Sequence, residues 1–194
     1  MHHHVTGNVL LQLNMVIIHS FVLEHKPDSE IFYVKSSVRP SCPCCNRRLK
    51  VCGSRKRKII RDDGKLLHLI IRRLYCDNCQ KIHHELPDII VPHKHYAADV
   101  IEKILKGNSL GCFPGEGSTA IRLRAWFMLL REYFEQSIKA LKFIHKESRR
   151  LTNELSSLIP LNPTKLAAGW LKHLVRIVVN SGRWMQTRFA YTVH

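Results

Sequence analysis

Two pairs of cysteines constrain this chain more than any other feature of its sequence. Cys42 and Cys45 enclose two residues, Cys76 and Cys79 do the same, and a strand-rich insert separates the two pairs. Each pair predicts a tight turn that directs two sulfurs at one Zn²⁺, and four thiolates complete a closed tetrahedron. Closed coordination leaves no metal-bound water to activate, so the spacing predicts one structural zinc per chain.

The insert between the pairs has the pattern of a β-hairpin. Two β-rich runs flank Asp62-Asp63-Gly64, which is a strong turn signal. In the second run Leu67, Leu69 and Ile71 occupy alternate positions, as expected of a half-buried strand. The cysteine pairs and this hairpin together predict a zinc ribbon.

Three further cysteines lie outside this set. Cys44 and Cys52 are expected to be non-ligands, because C-x-C and C-C pairs hold one metal less comfortably than two cysteines separated by two residues. Cys44 stays open as an alternative to Cys45. Cys112 lies in a Gly-rich loop and is expected to be a small apolar filler. The total of seven cysteines is odd, which argues against a closed disulfide framework.

The balance of charge indicates a polyanionic partner. The chain has 31 Lys and Arg against 15 Asp and Glu, a net charge of +16, and the run 39–61 contains no acidic residue. Neutralising phosphates releases condensed counterions, so double-stranded DNA is the expected partner. No stretch has the pattern of a membrane span or a signal peptide, and we therefore expect no membrane partner and a cytoplasmic protein, at the nucleoid when DNA-bound.

The sequence after the second cysteine pair is predicted to be mainly helical. The pattern predicts a helix ending at Gly107-Asn108, a long helix capped by Ser118 or Thr119, and a last helix that begins at Asn162 and ends near 180. The predicted fold class is α+β, a small four-cysteine zinc ribbon of β-hairpins followed by an all-α, helix-turn-helix-like region. The predicted division is 1–38, an N-terminal extension with a short strand; 39–92, the ribbon; 93–160, the helix-turn-helix-like region; and 161–194, a basic helix and tail.

Two groups of basic residues are predicted to contact nucleic acid. Arg122 and Arg124 lie near the start of the long helix, where a recognition helix enters the major groove, and arginine can read guanine edges. The second group lies on the first cysteine turn and the hairpin and is expected to contact phosphates. Its members are Arg47, Arg48, Arg55, Lys56, Arg57 and Lys58.

Several segments together resemble an uncharacterised bacterial family. They are "CPCC", "IIRRLYCDNCQKIHHELPDIIVPHKHY", "STAIRLRAWF" and "LVRIVVNSGRW". The front half of this family resembles the zinc-binding region that precedes a helix-turn-helix in insertion-sequence transposases. The resemblance implies DNA binding linked to mobile elements, a role as accessory factor or regulator with a transposase or recombinase as partner, and metal ligation by Cys42, Cys45, Cys76 and Cys79.

Catalysis is not expected of the chain itself. A two-metal nuclease needs a cluster of carboxylates on a separate α/β domain, and the sequence after the ribbon supplies no strand-rich stretch for one. His93 and His95 with Tyr96 only partly match a single-strand nicking enzyme, because Lys94 separates the histidines and the tyrosine adjoins them. His83 and His84 are expected to contact the ribbon surface or a nucleic-acid backbone.

Two functions are therefore compared. The first is a zinc-ribbon and helix-turn-helix DNA-binding protein. The alternative is a non-catalytic module that docks a partner protein or a structured RNA through the ribbon.

Overall fold

A computed structural model describes residues 14–107 and 113–185. The described residues form a six-stranded mixed sheet and four helices. The strands are β1 Met15–Ile18, β2 Val22–His25, β3 Ile31–Lys35, β4 Lys50–Ile60, β5 Leu66–Cys76 and β6 Lys81–Pro87. The helices are α1 Ala98–Leu105, α2 Gly117–Ile144, α3 Arg149–Ser156 and α4 Trp170–Asn180.

Strand β5 is the centre of the sheet. One of its edges pairs with β4 along almost its whole length, in antiparallel register. Its other edge is shared, because β3 pairs in parallel with residues 68–70 and β6 pairs antiparallel with residues 73–76. β1 then pairs in parallel with β6, and β2 pairs antiparallel with β3.

The hairpin predicted between the cysteine pairs is confirmed. β4 and β5 are joined by a turn at residues 61–65, in which the Gly64 N–H donates to the Arg61 carbonyl at 3.1 Å. Gly64 has a φ of +76°, a conformation that glycine adopts without the steric cost of a Cβ. On the second strand Leu69 and Ile71 are fully buried, as the alternating pattern predicts.

The predicted order of a ribbon followed by an all-α region is not confirmed. Residues 15–35 supply three of the six strands, where the sequence pattern had indicated one short strand. A single core cluster also includes residues of β1, β5, α1, α2 and α4. Strands and helices therefore bury their apolar faces against each other.

The helix boundaries differ from the predicted ones at their starts. α2 begins after Glu116, and neither Ser118 nor Thr119 caps it. α4 begins at Trp170, because Asn162 instead accepts a hydrogen bond from the Thr164 N–H in a local turn. Helix α3 was not predicted as a separate element. The predicted stop at Asn108, the Cys112 filler, residues 1–13 and the tail from 186 lie outside the described residues.

The start of α4 is held by a distant side chain. Glu102 of α1 is 6% exposed and accepts hydrogen bonds from the backbone N–H groups of Gly169 and Leu171, at 3.0 and 3.2 Å. A carboxylate at this position satisfies two N–H groups that a helix start leaves without partners and complements the helix dipole. α4 thus takes its N-terminal cap from another helix.

Among the described helices, none is both long enough and apolar enough to cross a membrane.

Candidate metal centre and basic surfaces

The structure brings the four predicted cysteines together. The sulfurs of Cys42, Cys45, Cys76 and Cys79 all lie within 4.8 Å of one another. Cys45 Sγ lies 3.5 Å from Cys76 Sγ, and Cys42 Sγ lies 3.9 Å from Cys79 Sγ. Tetrahedral zinc with Zn–S bonds of about 2.3 Å requires sulfurs roughly 3.8 Å apart, so the arrangement fits one metal ion.

Two similar turns position these sulfurs. In the first turn the Asn46 N–H donates to the Cys42 carbonyl at 2.8 Å, and Asn46 has a φ of +57°. In the second, β5 ends at Cys76, β6 begins at Lys81, and Gln80 has a φ of +50°. Each turn therefore reverses the chain at a left-handed residue four positions after its first cysteine.

The two turns meet in a small apolar cluster. Cys42 and Cys76 are 2% and 0% exposed, and they pack with Val16, Leu49 and Leu74. Val16 belongs to β1, so the N-terminal strand forms part of the wall of the candidate site. An apolar wall excludes water and strengthens the electrostatic attraction between thiolates and a cation.

The electrostatics of the cluster favour a bound cation. Burial raises the pKa of the Cys42 thiol to about 12, and hydrogen bonding with Cys45 is the main cause that raises the pKa of Cys79 to about 11. The Cys45 thiolate is stabilised chiefly by the Arg47 backbone N–H, which lowers its pKa to about 6. A bound metal ion deprotonates coordinating thiols outright and would supply the missing positive charge.

His83 is the one neighbour of the cluster whose position corrects the sequence interpretation. It is fully buried, and its Nε2 lies 3.4 Å from Cys42 Sγ. Burial lowers the pKa of the imidazole, so the ring is neutral and its Nε2–H can donate to the thiolate. A fully buried ring cannot contact a nucleic-acid backbone, so of the two alternatives expected for His83 only the contact with the ribbon agrees with the structure. No sequence signal reveals this contact, because it depends on how β6 packs against the first turn.

His84 does not act as a cation either. Burial, together with Arg57, Arg55 and Arg73, lowers the pKa of His84 to about 4. The ring is therefore neutral at physiological pH, which removes the expected protonated contact with a phosphate.

The other described cysteines lie outside the four-sulfur group. Cys44 lies near Cys42 and His83. Of the alternatives Cys44 and Cys45, it is Cys45 whose sulfur joins those of Cys42, Cys76 and Cys79. Cys52 is exposed and donates to the Arg73 carbonyl at 3.4 Å.

The basic run on β4 is divided between the two faces of the sheet. Lys56 and Lys58 pair with Ile70 and His68, whereas Arg55 and Arg57 pair with the fully buried Ile71 and Leu69. Directly paired residues point to the same face of a sheet. Arg55 and Arg57 therefore lie on the core-facing side of the sheet, where Arg55 is exposed and Arg57 is half-buried, and the lysines lie on the opposite side.

Arg47 and Arg48 are exposed on the first cysteine turn. They line a groove of about 980 Å³ together with Arg39, Lys50 and Arg72. The guanidinium of Arg72 is already paired within the fold, because it donates two 2.6 Å hydrogen bonds to the buried carboxylate of Glu85. Lys50 pairs with Asp77 at 2.6 Å.

Most cations of the run 39–61 have no carboxylate partner. Within the described part of the chain, Lys50 is the one member of this run that forms an ion pair. The positive charge on the first turn and on β4 is therefore not neutralised by the fold itself.

The two arginines of the predicted recognition helix have different environments. Arg122 is exposed and donates to Thr119 Oγ1 at 3.0 Å. Arg124 is half-buried, and its Nε donates to the Ile104 carbonyl at the end of α1, also at 3.0 Å. Residues 106–116 connect α1 to α2, which is longer than the turn of about three or four residues in a helix-turn-helix.

The histidines after β6 do not form a metal-binding group with other described residues. His93 and His95 are both exposed, and neither belongs to a set of three possible ligands in the described ranges. The Tyr96 ring packs against Phe113 at a tilt of 41° with ring centroids 4.8 Å apart, and it also lies close to Gly115.

Residues 42–123 match the family model of a domain of unknown function, DUF6431. The matched span runs from the first cysteine to the beginning of α2 and includes the four clustered sulfurs and the whole of β4. No curated protein and no solved structure matches the chain significantly.

Proposed function

We propose that this chain is a DNA-binding protein in which a zinc ion, held by Cys42, Cys45, Cys76 and Cys79, fixes a basic surface in shape. The observation that carries the proposal is the unneutralised positive charge of the run 39–61, placed directly beside the cysteine cluster. Such a surface attracts polyanions, and phosphate contacts release counterions.

The donor set supports zinc as the metal. Four thiolates in a tetrahedral arrangement are typical of structural zinc and of iron–sulfur sites, and the sulfur spacing here suits a single ion. Four protein ligands leave no position for a substrate. The metal would join the first turn, which carries Arg47 and Arg48, to the end of β5 and the start of β6.

The basic residues divide into positioning and reading roles under this proposal. Arg47 and Arg48 with Lys56 and Lys58 contact phosphates, because exposed flexible cations supply charge without a defined geometry towards base edges. Arg122, exposed at the start of α2, contacts a base edge. Arg124 supports α2 through the Ile104 carbonyl, which makes its predicted base contact the weaker of the two.

Association with a mobile element, and a transposase or recombinase as partner, remain proposals that the sequence resemblance supports. A role without catalysis is also proposed, because four thiolates leave no metal-bound water to activate and the sequence after the ribbon supplies no strand-rich stretch for a two-metal nuclease domain.

The test is duplex DNA binding at several salt concentrations. In the full chain with zinc, Arg47→Gln combined with Arg48→Gln should weaken binding to matched and scrambled duplexes alike. The slope of log K against log salt should fall by about two, because two phosphate contacts are lost. The control is Lys139→Gln with Lys146→Gln, exposed lysines at the other end of α2 and beyond, which should leave the slope unchanged.

If the slope of log K against log salt is the same for the Arg47/Arg48 double variant as for the Lys139/Lys146 control, DNA binding by this surface is contradicted. Tighter binding of a structured RNA of the same length would instead favour the alternative function, an interaction module that uses the ribbon. Duplexes with 5′-hydroxyl ends should be used, so that only internal phosphates are tested.

A further inference from the structure

A recess lies at the outer edge of β4, on the side away from the cysteine cluster's first turn. Among the described strands β4 pairs only with β5, so its other edge is open until Ile60, which pairs with Tyr96. The segment 92–95 passes beside this open edge and closes a cavity of about 430 Å³. Its volume is within the range of about 300–1,000 Å³ that is usual for small-ligand pockets.

The chemistry of the recess is cationic. Six basic residues line it, and the remaining lining residues are apolar, so no carboxylate faces the cavity from the described chain. The six are Lys56, Arg57, Lys58, His93, Lys94 and His95. β4 supplies three and the segment 92–95 supplies three, so two separate basic runs of the sequence meet here. Because strand residues alternate, Arg57 borders the recess from the core-facing side of the open β4 edge, and Lys56 and Lys58 border it from the opposite face.

Arg57 provides an unsatisfied hydrogen-bond donor at the recess. Its Nε is buried and has no hydrogen-bond partner among the described residues. Burial, with Arg55 as a second cause, lowers the pKa of its guanidinium, which means that the fold opposes this charge. A buried donor without a partner costs free energy, which an anion with several acceptor oxygens would recover.

Lys94 reinforces this arrangement from the opposite wall. Its Nζ lies 4.4 Å from the centre of the Trp126 ring, so the side chain is held in position against α2. Burial lowers the pKa of this ammonium group to about 8, so it is still mostly charged at neutral pH, and a bound anion would stabilise that charge.

We propose that this recess binds a phosphate monoester. A monoester carries close to two negative charges at neutral pH and three terminal oxygens, so it can accept contacts from several of the cations that border the recess. An internal phosphodiester has one charge and continues in both directions, so it fits an open surface better than a recess. A sugar attached to the monoester would fill the remaining volume against the apolar lining.

The phosphate can come from a free nucleotide or from the 5′ end of a nucleic-acid strand. Both present the same group, and the experiment includes an arm for each. The proposal does not depend on duplex binding by the first cysteine turn, since Arg47 and Arg48 do not line the recess.

The experiment is calorimetric titration of the full, zinc-loaded chain at constant ionic strength. Adenosine 5′-monophosphate should bind, and adenosine should not. Arg57→Gln and, separately, Lys58→Gln should each weaken the nucleotide about tenfold, because each removes a charge-assisted contact. Lys58 is exposed, so its variant keeps the test valid even if replacing Arg57 disturbs the fold. Arg57→Lys should restore part of the affinity.

The matched control is Arg48→Gln, which should leave nucleotide binding unchanged while it weakens duplex binding. A 5′-phosphorylated oligonucleotide that binds more tightly than the free nucleotide would identify a strand end as the ligand, and the reverse order would identify a free nucleotide. Equal binding of adenosine and its monophosphate, or wild-type affinity in both the Arg57→Gln and Lys58→Gln variants, would overturn the proposal.

Discussion

Cys76 ends β5 with a fully buried side chain, so its sulfur has no contact with solvent in the fold. A thiolate in that position needs a cation close by, because the low dielectric of the interior penalises an isolated charge. The other three sulfurs of the cluster lie within 4.8 Å of it, and like charges at that distance repel one another. A metal ion at the centre of the cluster would offset this repulsion.

At the scale of the residue, we predict that Cys76→Ser loses the metal. Structural zinc binds with about 10–16 kcal/mol, so the loss of one of four thiolates should cost roughly 3 kcal/mol, or about a hundredfold in affinity. Metal content after dialysis against a weak chelator measures this. The control is Cys52→Ser, whose exposed thiol lies outside the cluster. Full metal retention in the Cys76 variant would show that the four sulfurs do not jointly coordinate the ion.

The cysteine set was predictable because ligand geometry is local. Two residues between two cysteines form a tight turn that determines how far apart the two sulfurs lie, and the sequence alone reveals that spacing. The contact between His83 and Cys42 was not predictable, because 41 positions separate the two residues and no local pattern joins them. The same holds for the orphaned Nε of Arg57, which depends on the segment 92–95 passing beside β4.

At the scale of the element, we predict that Glu102→Ala destabilises the protein through α4. The variant leaves the Gly169 and Leu171 N–H groups without their acceptor, and it also removes the ion pair of Glu102 with Lys106 at 3.2 Å. The free energy of unfolding should fall by about 2 kcal/mol, as measured by urea titration. Asp99→Ala, an exposed acid in the first turn of the same helix, should cost only a few tenths of a kcal/mol. Equal losses for the two variants would show that the cap contributes nothing.

The elements show where sequence periodicity succeeds and where it fails. The β4–β5 hairpin was predictable because both strands and the turn are contiguous. The start of α4 was placed at Asn162 because a local cap motif is present there, whereas the actual cap comes from Glu102. The sequence predicts one phosphate-contacting surface from the basic run on β4, but side chains alternate along a strand, so its lysines and arginines lie on opposite faces.

At the scale of the whole molecule, β1 connects the metal centre to the helices. Val16 packs against the cysteine cluster, whereas Ile17 belongs to the main core. Asn180 at the end of α4 pairs with the Ile17 backbone through both its side-chain oxygen and its side-chain nitrogen, at 2.8 and 2.9 Å. This amide pairs with β1 as a neighbouring strand would, so α4 and the sheet stabilise each other.

We predict, as a consequence, that residues 39–92 do not fold alone even with zinc. The fragment lacks β1, β3 and every helix, which leaves Leu69, Ile71 and Leu86 without their packing partners. Each fully buried aliphatic side chain contributes about 1.5–3 kcal/mol, so these three losses approach the whole stability of a small domain. A zinc ion held by the four cysteines would organise the two cysteine turns, but it would cover none of that apolar surface.

The measurement is the amide ¹H–¹⁵N spectrum of the fragment with one equivalent of zinc, compared with that of the full chain. We expect dispersed signals in the full chain and collapsed or aggregated signals in the fragment, while zinc titration shows that the four thiolates of the fragment still bind the ion. A dispersed fragment spectrum that overlays on the full chain's would show instead that the ribbon is an independent domain. In that case the contacts of β1 with α4 would join two units, each of which is stable without the other.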